Sequence, residues 1–260
     1  IWLGLVGSEM CIRDSSRGIK QKTAYGHITF PFTIRNQFVS SLATVQAAVE
    51  NKTLLRNYQK DFFQSAIGLS KKSKVKAYNF KETDQNRTKA FIDKLLKHKV
   101  EVLKTGKDSY SVPTSQPQYR MVQTFFETYE KYRDSVYYDA SAWSVANFYN
   151  IKYKPSSKLK AGKKVESIDD LINLNSLIKS SYAYVIDSQD YNVPALLQDA
   201  FIHKLVPASA FKSFASHTGE SFSYGSVVIP VALQSISEEE LHQVLKKLQQ
   251  KHKVQIHALN

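Results

Sequence analysis

Thr29-Phe30-Pro31-Phe32-Thr33-Ile34-Arg35-Asn36-Gln37-Phe38 decides how the chain is divided. Ile28, Phe30, Phe32 and Ile34 alternate with Thr29, Pro31, Thr33 and Arg35, the period of a strand with one buried face. Pro31 cannot donate to a ladder, so this strand belongs at an edge or a bulge. Behind it, Leu42, Val45, Val49, Leu55, Phe62 and Phe63 recur every three or four residues and predict a long helix over 38–69. Gly68 is its expected stop. Residues 16–69 therefore read as the end of one α/β domain and a connecting helix.

Downstream the order of elements repeats. Val75–Phe80 reads as a strand, Asp84–Lys97 as a helix, Val100–Leu103 and Tyr110–Pro113 as strands, and Gln118–Tyr132 as a helix. Tyr182–Ile186, Val193–His203, Leu205–Ala208, Ser226–Val231 and Ser237–His252 follow in the same order, and Val254–Leu259 closes the chain as a strand. The expected boundaries are a first α/β unit at 70–140, a linker with short helices near Trp143 and over 168–178 at 141–180, and a second α/β unit at 181–260. Strands alternating with helices of this length predict an α/β fold of layered, mostly parallel sheets in two β-α-β-β-α units. Ser237-x-x-Glu240 before an apolar run is a capping box.

Composition excludes several classes. Hydrophobic residues make up 42% and aromatic residues 12% of the 260, so a packed core is expected and disorder is not. No apolar run reaches the roughly 20 residues that span a bilayer. The formal net charge is +13, but the lysines are scattered, outnumber arginine and accompany no nucleic-acid motif, so neither a nucleic acid nor a membrane is expected as partner. The sole cysteine, Cys11, lies in residues 1–15. There Gly4–Ser15 resembles translated sequencing-adapter contamination, while Ile1–Val6 is too short and lacks the basic flank of a signal peptide. With residues 1–15 set aside, disulfides and Cys-ligated metal are excluded. No Gly-rich phosphate loop and no GxSxG elbow occur.

Phe32-Thr33-Ile34-Arg35-Asn36, together with Ser16-Arg17-Gly18, Asn57–Phe63, Gln116–Arg120, Tyr138–Trp143 and Tyr182-Ala183-Tyr184, resembles the end of the catalytic domain, and the region after it, in bacterial members of the zinc carboxypeptidase family (carboxypeptidase A-like metallopeptidases). The resemblance implies a parent protein that hydrolyses peptide bonds with zinc-activated water. The zinc ligands would lie upstream, so no metal and no cofactor is expected in this chain. The implied partners are the upstream catalytic domain and, in the parent, a peptide substrate. The implied location is periplasmic or secreted. In typical members the catalytic Glu stands in a phrase like Phe-Glu-Leu-Arg-Asp, and Thr33 occupies that place here. A threonine cannot serve as a carboxylate base toward zinc-bound water, so no catalytic residue is expected.

Arg35 and Asn36 follow as substrate-binding candidates. Arg120 joins them, because Gln116-Pro117-Gln118-Tyr119-Arg120 sits at a strand-to-helix junction where free amides could hold an anion; simple helix capping is the competing reading. His98-x-x-Glu101 matches the family's zinc pair in identity only, because it leaves a helix and enters a strand. Asn51-Lys52-Thr53 and Asn86-Arg87-Thr88 match glycosylation sequons but fall on predicted helices. The expected role is that of a non-catalytic accessory region. The alternative is a peptide- or envelope-polymer-binding α/β module, suggested by the 15 tyrosines and the basic surface.

Overall fold

The computed structural model describes residues 19–23, 26–128, 144–168, 171–217 and 219–259. Chain contacts divide it into two compact units, Ile1–Phe63 and Gln64–Asn260. Ser16–Gly18, Tyr138–Trp143 and the end of the helix expected over Gln118–Tyr132 lie outside the described residues.

The first unit corrects the reading of its opening phrase. β1 (Lys20–Thr23) and β2 (Gly26–Thr29) form an antiparallel hairpin, and the strand ends at Thr29. Phe30 then begins a helix, α1 (Phe30–Glu50). Thr29 is its N-cap, accepting from the Phe32 amide at 3.4 Å, and Pro31 stands in the first turn, where a missing N–H costs nothing. Phe30, Ile34 and Phe38 are spaced by four, and that period prevails over the short alternation. A single non-helical residue, Asn51, separates α1 from α2 (Lys52–Lys72). Gly68 does not stop α2, which runs four residues past it.

The second unit holds two repeats. The first comprises β3 (Ala77–Lys81), α3 (Gln85–Lys97), β4 (Leu103–Gly106), β5 (Ser109–Pro113), α4 (Tyr119–Phe126), the short α5 (Val145–Phe148), β6 (Tyr153–Ser156) and β7 (Lys163–Lys164). The second comprises β8 (Ala183–Ile186), α6 (Val193–Ile202), β9 (Ala208–Ser209), β10 (Phe214–Ala215), β11 (Ser221–Phe222), β12 (Val227–Pro230), α7 (Glu238–His252) and β13 (Ile256–Leu259). The sheet orders are β6-β3-β5-β4-β7 and β13-β8-β12-β9, so the same order recurs in both. This is the β-α-β-β-α-β arrangement of ferredoxin-like folds, present twice.

The expected parallel sheets are not found: each recorded strand pair is antiparallel. The reason lies between β4 and β5. Only Lys107 and Asp108 separate them, with Asp108 at φ 55°, and a two-residue turn joins only antiparallel neighbours. β3 and β4 do run parallel across their helix, but β5 inserts between them. The expected linker also contributes to the fold, because β6 and β7 form the two edges of the first sheet. Val100–Leu103 is mostly not strand; β4 begins at Leu103. The helix expected over 168–178 is absent among the described residues, where the chain has no regular structure from Ile172 to Lys179.

Each repeat has its own core. In the first, Phe91 is fully buried at the centre of an aromatic cluster, with ring centroids 5.5 Å from Phe80, 5.8 Å from Phe126 and 5.6 Å from Tyr149. In the second, Tyr184, Ile186 and Ile229 of the sheet meet Leu196 of α6 and Leu241 and Leu245 of α7. The capping box forms as read: Ser237 accepts from the Glu240 amide and the Glu240 carboxylate accepts from the Ser237 amide. Helices α3, α6 and α7 end on His98-Lys99-Val100, His203-Lys204-Leu205 and His252-Lys253-Val254, with the lysine at φ 58°, 57° and 58°. The Val100 amide returns to Leu95 O and the Leu205 amide to Ala200 O, the closure of a Schellman turn.

Candidate functional site

The sequence-predicted site residues are divided between the two units. Thr33 lies in the first turn of α1, and its hydroxyl donates to the Thr29 carbonyl at 3.3 Å. Arg35 and Asn36 are exposed on the same helix. Arg120, in the second unit, donates from a guanidinium nitrogen to Ser65 Oγ at 3.1 Å. The anion site considered at Gln116–Arg120 is closed instead by Gln116, which is buried. Its Oε1 accepts from the Glu101 amide at 2.8 Å and its Nε2 donates to Pro113 O at 2.5 Å. His98 caps α3 with its ring edge against Phe125, while Glu101 faces Lys164 at 3.7 Å, so the two do not converge. Among the described residues no group of three His, Cys, Asp or Glu is placed to hold a metal ion. No described helix is long and apolar enough to cross a membrane. Asn86 is 3% exposed, which removes the second sequon as an acceptor.

The concentrated polar chemistry is at a place the sequence reading passed over: the joint between the repeats. Each repeat carries Asp-x-Asn at the start of its first helix: in Asp84-Gln85-Asn86 the aspartate is the N-cap of α3, and Asp190-Tyr191-Asn192 ends on the N-cap of α6. Asp84 caps α3 by accepting from the Arg87 amide at 2.9 Å. Its other oxygen accepts from the Tyr191 amide of the second repeat at 2.8 Å. Asn86 Nδ2 faces both Asp190 oxygens at 3.0 Å and the Lys253 carbonyl at 2.9 Å. Asn86 Oδ1 accepts from Asn192 Nδ2 at 2.9 Å, and the same Asn192 nitrogen donates to His252 O at 2.8 Å. Arg87 reaches Gln189 O at 3.0 Å. The motif of one repeat thus seats on the motif of the other.

The irregular segment beside the joint is tied to both repeats. Gln85 Oε1 accepts from the Asn173 amide at 2.6 Å, and Gln255 Oε1 from the Asn175 amide at 2.8 Å. A cleft of about 290 Å³ opens here, lined by Arg87, Asp187, Gln189, Asp190, Lys253 and His257 among others.

The two aspartates differ electrostatically. Burial raises both, but Asp84 has the Arg87 guanidinium at 3.4 Å to oppose that rise. The position matching Arg87 in the second repeat is Val193. Asp190 therefore lacks such a cation; burial pushes it up to about 6, and the charges of Asp84 and Asp187 add to the rise against the pull of its Asn192 and Asn86 donors. A repeated Asp-x-Asn at matching positions was the available sequence signal.

Comparison with family models, with curated proteins and with solved structures gives no match to this chain.

Proposed function

We propose that this chain is a C-terminal accessory region of a zinc carboxypeptidase-like metallopeptidase, with a non-catalytic pair of β-α-β-β-α-β repeats and a helix that docks on the catalytic domain upstream. The supporting observation is on α1. Phe30, Ile34, Phe38, Leu42, Val45 and Val49 fall on one face and are 53–71% exposed, and the 21-residue helix buries no residue. Helical stability in proteins comes mostly from packing such a face, so α1 calls for a cover. The sequence resemblance supplies its identity: the catalytic domain that precedes this region. Zinc and the peptide substrate belong to that domain, in a periplasmic or secreted protein. His98 and Glu101 do not converge on a common ion, being turned to Phe125 and Lys164.

The test is the double substitution Phe38→Asp, Leu42→Asp in the full-length parent. The expected result is a separate, lower thermal transition and rapid proteolysis near α1. Unchanged melting, proteolysis and peptidase activity would sink the reading. The alternative, a peptide- or envelope-polymer-binding module, is favoured by Phe211 and Tyr224, 79% and 67% exposed with ring centroids 6.4 Å apart. Retention of envelope polymer at moderate salt, lost in Phe211→Ala, would support it.

A further inference from the structure

We propose that Leu171–Leu177 is a self-bound peptide: it fills a groove between the two repeats that receives an extended polypeptide, and a separate peptide with leucines six residues apart takes the groove when this strap lifts. The strap continues from Ile172 to Lys179 without a turn or a bend. Leu171 is buried in the core of the first repeat and Leu177 in that of the second, so each leucine anchors one repeat.

Between the anchors, glutamine side chains hold the strap's backbone. The Asn173 amide donates to Gln85 Oε1 and the Asn175 amide to Gln255 Oε1, and residues two apart share one edge of an extended chain. The Asn175 carbonyl accepts from Gln249 Nε2 at 2.8 Å. Gln249 is buried on α7, and its Oε1 accepts from the Ile256 amide of β13 at 2.9 Å. Its amide group thus stands between strap and sheet as a neighbouring strand would. Among the described residues, 172–179 makes no backbone–backbone hydrogen bond. Main-chain hydrogen bonds fix the direction and extension of a bound peptide, and selectivity falls to the side-chain pockets, here those of the two leucines.

The strap leaves room beside it. A cleft of about 290 Å³ opens along Asn173 and Leu174, and another of about 290 Å³ along Asn173 and Asn175, with Glu82 and Gln85 bordering both. A ligand with side chains larger than asparagine has space at these places. The groove lies in the second unit and owes nothing to the cover of α1.

Because the strap is tethered at both ends, it competes at an effective concentration in the mM range. A peptide that binds the emptied groove with a Kd of about 10 μM is then masked about a hundredfold in the native chain.

The probe is a synthetic, fluorescently labelled peptide with the sequence of Leu171–Lys179. The receptor is the full chain with Leu171–Leu177 replaced by alternating glycine and serine. Saturable binding is expected, lost when the peptide's two leucines matching Leu171 and Leu177 are alanine. No saturation, or equal binding of the alanine peptide, overturns the proposal. If the replaced chain does not fold, hydrogen exchange on the native chain decides. Unlabelled peptide at about 1 mM should speed exchange of the Asn173 and Asn175 amides about a hundredfold, while Tyr184 and Val185 in β8 hold. Unchanged exchange in the strap, or equal acceleration in β8, overturns the proposal.

Discussion

Replacing Asn86 by alanine removes the central member of the joint while leaving both apolar cores untouched. The side chain is 3% exposed, and its loss frees one oxygen set on Asp190, the Lys253 carbonyl and one hydrogen of Asn192 Nδ2. Asn192 keeps its bond to His252 O, and Asp190 keeps the Asn192 amide, so neither is wholly abandoned. The Lys253 carbonyl loses its Asn86 donor. Counting about 1 kcal/mol for each neutral bond and somewhat more for the bond to a carboxylate gives about 3 kcal/mol. With a urea slope of about 2–3 kcal/mol/M for a body of this size, the midpoint should fall by about 1 M. Because each repeat has a separate core, the transition should also broaden or split when followed by circular dichroism. A midpoint shift below about 0.3 M with the slope unchanged would mean that the joint contributes little, and the reasoning would fail.

Two further outcomes rest on other parts of the fold. Phe91→Ala should destabilise the first repeat by about 3–5 kcal/mol, since a fully buried ring is deleted from among Phe80, Phe126 and Tyr149; tryptic digestion should cut the first repeat before the second. Gly162→Ala should cost about 1–3 kcal/mol, because a Cβ there would meet the Lys104 carbonyl oxygen at 2.6 Å and press β7 away from β4; a thermal melt no lower than that of the native chain would contradict it.

Much of the second unit was legible in local pattern. The helix at Gln85–Lys97, the strand at Ser109–Pro113 and the capping box at Ser237 follow from periodicity and hydroxyl–carboxylate spacing. The repeat in element order was readable too, but strand direction was not. It depends on the turn Lys107-Asp108, which has no glycine and takes its left-handed geometry at an aspartate. The stretch 168–178 has apolar residues at helical spacing, yet two of its backbone amides, those of Asn173 and Asn175, are claimed by Gln85 and Gln255 from the two repeats, partners that sequence distance conceals. Phe30–Ile34 satisfied two periods at once, and the Thr29 cap with Pro31 settled it. The joint was missed because Asp-x-Asn is short and ordinary; its meaning lies in recurring 106 residues later against its own counterpart.

The lysines at the helix ends bear on the charge of +13. Lys71 and Lys72 close α2, Lys94 and Lys97 lie in the last turn of α3, and Lys251 and His252 in that of α7. Lys99, Lys204 and Lys253 follow at the left-handed positions where glycine would be freer. All stand by carbonyls that carry the negative pole of a macrodipole. A share of the positive surplus is therefore spent inside the molecule, countering fields made by its own backbone. Salt or lysine acylation would weaken these helix ends.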